Sequence, residues 1–266
     1  NDMLFAKSLE GFGGSIILPT FRQPEGAGGS AMVDSLPLPE FRRHAFLASV
    51  NVHPDPDGQL RTYSYGTTTG GTARPTIATV LAGGSATVEQ GFRIDTSIKP
   101  DSIPRHSFVD VLENKGNLAA LRGKSVIIGA TAIELGDRYS VPGHGIVPGP
   151  VVQAMATETL IQGRALHDYG PWPMILVATI ISCLLLRMTS RIQAYVAGAF
   201  SIAAVVAAHF AAIQFGVGSL APAAGLGMLL TLGLGLLISD VSSRFRAYAR
   251  LDQDTGLPNV RALKEA

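Results

Sequence analysis

"KSVIIGATAIELGDRYSVPGHGIVPGPVVQAMATETLIQGRAL", residues 124–166, decides the fold class. Its opening, Val126-Ile127-Ile128 closing on Gly129-Ala130-Thr131, is a short β-branched run and reads as a buried strand over 124–131. Its end reads as an amphipathic helix over 148–166, with Val151, Val152, Met155, Thr159 and Leu160 on one side and Gly163 near the stop. A buried strand, a polar loop and a helix in succession argue an α/β layer structure.

The residues upstream fit that class. Leu4, Phe5, Leu9 and Phe12 recur at helical spacing, and "SIILPTF" at 15–21 reads as a buried strand. "FLASVNVHPDPDGQLRTYSY" at 46–65 reads as a hairpin about Asp57-Gly58, a dipeptide that supplies the positive φ a tight turn needs. The loop "ELGDRYSVPGHG" at 134–145 follows a strand end, where α/β sheets often bind ligands. Glu134, Asp137, Arg138 and His144 form the candidate ligand pocket, with a solvated loop as the alternative.

Two motifs fail on spacing. Gly123-Lys124-Ser125 resembles the end of a phosphate-binding loop, but the glycine required five residues earlier is Leu118, and the lysine precedes a strand. Asp55, Asp57 and Gly58 fall on places three, five and six of a calcium loop, but place one is His53 and place twelve is Ser64. No nucleophile–base pair, nucleophile elbow or paired metal-ligand histidines stand out, so no catalytic, cofactor-binding or metal residue is assigned.

Composition changes at Pro171. Three apolar runs follow, at 171–186, 192–213 and 220–239. About 20 apolar residues cross roughly 30 Å of hydrocarbon. The second and third runs meet that length, and Tyr169 and Trp172 can extend the first through the interfacial belt. Charged residues make up 15% of the chain, against roughly 25% in soluble proteins, which agrees with a lipid-embedded part. The formal net charge of +1 gives no footing for nucleic acid. The single Cys183 reads as apolar filler, His209 as an imidazole reaching the outer interface, and Gly225, Gly227, Gly233 and Gly235 as sites of close helix packing.

Basic residues stay on the cytoplasmic side of a membrane. Arg187 and Arg191 bracket the first link, the second link "QFGVGS" is uncharged, and Arg244, Arg246 and Arg250 follow the third run. The expected topology is a multi-pass inner-membrane protein, with 1–168 outside, in the periplasm of a Gram-negative cell, and the C-terminus in the cytoplasm. Leu234, Ile238, Val241, Phe245 and Tyr248 are spaced four, three, four, three. That spacing fits either a heptad seam pairing two protomers or an amphipathic helix on the inner membrane surface held by the arginines.

"VNVHPDPDGQLR", "IDTSIKPDSIPRHSFVDVLE" and the stretch from "LRGKSVIIGATAIELGDRYSVP" to "VPGPVVQAMATETLIQGRAL" together resemble the type-two CHASE domain, an extracellular sensor of bacterial signalling receptors. The resemblance covers most of 1–168. Because members carry a further strand–helix unit and a transmembrane helix before this point, it implies that Asn1 falls inside the domain. It also implies three spans after the sensor and an extracytoplasmic ligand of unknown identity. The tail 251–266 resembles the opening of a GGDEF domain, the diguanylate cyclase module, with Asp254 and Val260 departing from its Leu and Arg. Mg and GTP would belong only to the output domain that this resemblance implies, since the signature that names it is not in the chain.

The expected organisation is therefore an incomplete α/β extracytoplasmic sensor domain (1–168), a three-helix transmembrane bundle (171–239), a juxtamembrane signalling helix (240–250) and the start of a GGDEF domain (251–266). The expected function is a receptor, homodimeric through its juxtamembrane helix, relaying an outside signal to cyclic di-GMP synthesis. Two other classes stay open: a membrane-anchored binding or scaffold protein without enzymatic output, and a hydrolase on the outer layer that would depend on Asp137 or His144.

Overall fold

The spacing of Leu4, Phe5 and Leu9 produces α1 (Asp2–Gly11), with Leu9 its buried member. The computed structural model describes residues 2–25, 31–85, 88, 90–115, 118–214, 218 and 221–249, and of 246–249 the backbone alone. Within it the chain divides into two compact units, 1–168 and 169–266.

In the first unit, β1 (Ile17–Pro24) pairs antiparallel with β2 (Met32–Ser35) and parallel with β3 (Phe46–Ser49). The sheet order is β2-β1-β3, and α2 (Pro39–Arg42) lies between β2 and β3 in the chain. Beyond β3, Asn51 mimics one more ladder step: its Oδ1 accepts from the Arg22 amide (2.9 Å) and its Nδ2 donates to the Arg22 carbonyl (2.7 Å).

The turn expected at Asp57-Gly58 is present. Gly58 takes φ +78° and its N–H donates to the Asp55 carbonyl at 2.8 Å. Its arms do not form a hairpin, however. β3 turns to β1, and β4 (Thr62–Ser64) pairs with β7 (Gly91–Arg93). A turn is a local property, while the partner of each arm is chosen by burial: Ala48 and Ser49 on β3 and Phe92 on β7 are fully buried. A true hairpin follows instead, β5 (Gly66–Thr69) with β6 (Thr72–Pro75), turning on Gly70 and Gly71, both at positive φ. Thr76 then caps α3 (Ile77–Leu81), its Oγ1 accepting from the Thr79 amide, and Ser107 caps α4 (Phe108–Leu112) in the same way.

A last hairpin, β8 (Arg138–Val141) with β9 (Gly145–Pro148), runs straight into α5 (Gly149–Ile161). Pro150 sits in the first turn, where its missing N–H costs nothing. The helix stops at Gly163, φ +65°. There the Gly163 amide donates to Leu160 and the Arg164 amide to Thr159, the bond pattern of a Schellman motif. This helix is not amphipathic. Val151, Val152, Gln153, Met155, Ala156, Thr157 and Thr159 are all buried, and α3, β8 and β9 all pack against it. Its core partners are Leu60, Tyr63, Phe92, Ile94, Val141 and Val147. Each fully buried large side chain contributes about 1.5–3 kcal/mol.

Residues 124–131 depart from expectation. They join no ladder among the described residues, and Val126 and Ile128 are 53% and 77% exposed. From Ser125 to Ala130 no peptide group hydrogen-bonds to another among the described residues. A β-branched run favours a strand, but among the described residues no strand pairs beside it, and it is left unpaired and largely exposed.

The second unit is three apolar helices, α6 (Trp172–Leu186), α7 (Arg191–Gln214) and α8 (Pro222–Ala249). Arg191–Gln214 and Pro222–Phe245 are long and apolar enough to cross a membrane. The 15 residues of α6 rise about 22 Å, short of the hydrocarbon thickness. The helices meet through Met174, Ala178, Val205 and Leu229. Of the four α8 glycines only Gly225 is at a close approach, where a Cβ would lie 2.8 Å from the Met174 carbonyl oxygen. Gly227, Gly233 and Gly235 face open space. Cys183 is exposed rather than filler, since the next residue back, Ser182, takes the buried position one helical step away. His209 Nδ1 is buried without a hydrogen-bond partner among the described residues, and the ring lies against Phe210. α8 continues unbroken to Ala249, with Leu234, Ile238, Val241 and Phe245 exposed along it. Tyr248 and Arg246 as side chains, Arg250, and the whole of 251–266 lie outside the described residues.

Candidate functional site

The β8–β9 hairpin disperses the four residues of the candidate pocket. Glu134 is exposed on a short 3-10 turn (Ile133–Leu135). Asp137 precedes β8, and His144 lies in the turn after it. Four strand residues at about 3.4 Å each separate those two. At the near end, the Asp137 carboxylate lies over the first turn of α5, where a Cβ on Gly149 would meet it at 2.1 Å. The Asp137 carbonyl accepts from the Gly149 amide at 2.9 Å. A carboxylate there faces the positive end of the helix dipole. Arg138 reaches the Thr131 carbonyl at 3.5 Å. At the far end, His144 Nε2 meets the Thr96 carbonyl at 2.7 Å. Asp137 and Arg138 are thus brought to one end of the hairpin and His144 to the other. Burial, and after it the Asp137 charge, push the Tyr139 phenol up to about 12.

The calcium-like stretch is an ion-pair turn. Arg61 Nη1 donates to Asp55 (2.8 Å) and Nη2 to Asp57 (2.7 Å). The Arg61 hydrogen bond, followed by the Gln59 amide, lowers the Asp57 carboxyl to about 2. Both carboxylates that resembled ligands are engaged by a guanidinium.

Two features escape sequence reading. The first is a buried polar link: Tyr63 Oη donates to Gln153 Oε1, and Gln153 Nε2 donates to the Val50 carbonyl at 3.2 Å. It ties the central helix to the start of the Asp57 loop. Burial raises the Tyr63 phenol well above its ordinary value.

The second is a strap. After Gly163 the chain runs back along the free edge of β7, with Arg93 opposite Leu166 in an antiparallel bridge. The Arg93 amide donates to the Leu166 carbonyl at 2.9 Å. Continuing that register puts Asp95 directly opposite Arg164, and they pair at 3.0 Å. Arg93 pairs diagonally with Asp168 at 2.9 Å. Burial pushes the Asp95 carboxyl up, but hydrogen bonds from Ser97 and Arg164 outweigh it and hold the group below its ordinary value. The Asp95 amide donates to the buried Thr159 Oγ1 at 3.0 Å, tying the same point to α5. The sequence carries a faint sign of this, since Arg93-Ile94-Asp95 has the two-residue charge spacing of a strand face. The matching Arg164 and Asp168 gain meaning only once the turn at Gly163 is known.

Two concave surfaces lie away from these features. An open cleft of about 400 Å³ is lined by Glu10, Gly13, Gly14, Arg43, His44 and Phe46. An apolar cavity of about 360 Å³ lies among α6, α7 and α8, bordered by Leu185, Tyr195, Gly198, Leu229 and Gly233. Among the described residues no cluster of three or more His, Cys, Asp or Glu side chains could hold a metal ion.

A family model described as the CHASE2 domain matches residues 2–188. No curated protein and no solved structure matches the chain.

Proposed function

The chain belongs to the CHASE2 domain family, and from that premise we propose that it is the sensing and membrane-relay part of a receptor. The observation that carries the reading is the order of its parts. A mixed α/β unit of an extracytoplasmic sensor family ends at Asp168, and α6 begins at Trp172. Two further helices, long and apolar enough to span, follow it.

In this reading α6 is the first of three spans, completed by Tyr169 and Trp172 at the interface, and α7 and α8 are the second and third. The sensor unit faces the periplasm. Arg187, Arg191 and Arg244 lie inside, as the bias of basic residues to the cytoplasm requires. α8 carries the signal onward as one continuous helix. Its exposed Leu234, Ile238, Val241 and Phe245 pair with a second copy, and the output is a diguanylate cyclase whose opening is the tail at 251–266. A ligand outside can act only by binding one arrangement of the receptor better than another.

The test has two arms. Reporters active in one compartment only are fused before Asn1 and after Ala249; activity on the same side refutes the membrane order. Cyclic di-GMP is then measured in cells expressing the reading frame extended beyond Ala266. A frame without a cyclase signature leaves a membrane-anchored binding protein and removes the output.

A further inference from the structure

We infer that the apolar cavity between α7 and α8 is a lipid site: it takes one acyl chain of an anionic phospholipid, whose phosphate is held by Arg187 and Arg191. The proposal rests on the membrane reading of these helices and deepens it by naming what they bind.

The cavity measures about 360 Å³, within the range of small-molecule sites. Its walls include Ala194 and Gly198 on α7, Leu229, Gly233 and Leu236 on α8, and Leu185 of α6. Missing side chains create it. A Cβ on Gly233 would meet nothing within 4 Å, and one on Gly198 would meet only Leu185, at 3.8 Å. Gly225 differs, since there the helix backbones do close. Space lined by apolar groups does not hold water, and left empty it forfeits dispersion contacts. Inside a bilayer, hydrocarbon is the material at hand to fill it. Leu234 and Leu237 also border the cavity and are 57% and 49% exposed, so a chain can enter from the side. Leu234 also opens the seam proposed for a second copy, which is the competing occupant.

Among the described lining residues Tyr195 alone has a polar side chain. Its Oη is buried without a hydrogen-bond partner among the described residues, although a buried phenol usually finds one. Tyr195 lies four residues, about 6 Å, along α7 from Arg191. An ester carbonyl just beneath a phosphate is an acceptor at that depth.

Charge selects the class of lipid. Arg191, Tyr195, Gly198 and Ile202 recur at four, three and four residues, so Arg191 ends the face of α7 that lines the cavity. Arg187 follows Leu185 by two residues at the end of α6. Both arginines are exposed, and neither has an ion pair among the described residues. On α8 the face of Gly233 and Leu237 continues to Asp240 and Arg244, which neutralise each other at 3.1 Å. This end of the cavity therefore carries two uncompensated positive charges. Basic groups between spans on the cytoplasmic side suit anionic headgroups. A zwitterionic headgroup brings an ammonium that the arginines repel.

The test uses the full chain in phosphatidylcholine nanodiscs containing phosphatidylglycerol with a diazirine midway along one acyl chain. After irradiation, mass spectrometry maps the labelled residues. Labelling should concentrate at 194–202 and 229–237. Unlabelled phosphatidylglycerol should compete roughly five- to thirtyfold better than phosphatidylcholine, and Arg191→Gln should cut that preference about fivefold. Tyr195→Phe should weaken labelling about two- to tenfold. Gly233→Leu puts a side chain into the cavity and should abolish the concentrated labelling. Gly227→Leu, at an equally open glycine that does not line the cavity, should leave it unchanged. Labelling spread evenly over the exposed faces overturns the proposal, as does labelling that survives Gly233→Leu, because the lipid then meets only the surface. Should Gly233→Leu fail to fold, a preference unchanged by Arg191→Gln overturns it as well. An unlabelled cavity, with Gly233→Leu converting dimer to monomer, gives the space to a second copy and also overturns it. The reporter fusions keep the two readings apart. Reporters on one side sink the membrane order, whereas reporters on opposite sides with even labelling sink the lipid site alone.

Discussion

Replacing Thr159 by valine isolates one buried hydroxyl. Thr159 is fully buried; its Oγ1 donates to the Met155 carbonyl at 2.8 Å and accepts from the Asp95 amide at 3.0 Å. Valine matches the shape, so no cavity term arises. The Met155 carbonyl stays within the helix ladder, but the Asp95 N–H loses its acceptor. A donor orphaned in that way costs about 1–3 kcal/mol. Thr159→Ser keeps both hydrogen bonds and loses one buried methyl, about 0.8 kcal/mol. Hydrogen exchange on the full chain in nanodiscs separates the two, because local opening sets the protection of each amide. Thr159→Val should accelerate the Asp95 amide by roughly five- to 150-fold. Thr159→Ser should change it only about fourfold, along with the rest of α5. If the Asp95 amide in the valine variant stays as protected as in the serine variant, the hydroxyl is not its acceptor, and the link between α5 and β7 described above is wrong.

Gly163→Ala forces a Cβ into a left-handed backbone and should lower the stability of α5 by about 1–2 kcal/mol, read as lost protection of the Leu160 and Ile161 amides; Gly163→Asn should cost less. Tyr63 and Tyr139 both keep their protons to higher pH when folded. Above pH 10 the unfolded chain loses protons that the folded chain retains, so stability falls as pH rises from 10 towards 12, and a pH series of protection in α5 should show the decline beginning near 10. Arg61→Gln removes the largest cause of the low Asp57 carboxyl, and NMR titration should find that group moved up from about 2 towards the ordinary carboxylate range.

The fold was legible where local signals coincide with burial. Proline at the start and Gly163 at the stop bracket α5 to within a few residues, because both act through their own backbone geometry. The apolar runs are legible because lipid-length hydrophobicity is a property of composition; α7 begins and ends within a residue of the expected run, while α8 begins two residues after the third run and continues ten residues past its end at 239. The parallel pairing of β1 with β3 was not legible, since a turn signal at Asp57-Gly58 says nothing about which distant strand takes its arms. The same limit hid the strap, whose charge complementarity spans 75 residues between Arg93 and Asp168. Glu134, Asp137, Arg138 and His144 were grouped by proximity in sequence. A hairpin with side groups at both ends separates them by its own length.

The bare stretch at 125–130 has a practical consequence. Among the described residues its amides and carbonyls make no backbone hydrogen bond, and although Gly129 lies against Pro150, Val126 and Ile128 are uncovered, with no charged side chain between Lys124 and Glu134. Sheets guard their borders with lysine or proline against growing onto neighbouring molecules, and residues 125–130, though part of no sheet, contain neither. Purified at high concentration, the molecule should form oligomers through this stretch, and Ile128→Lys should cure the self-association while leaving α5 intact.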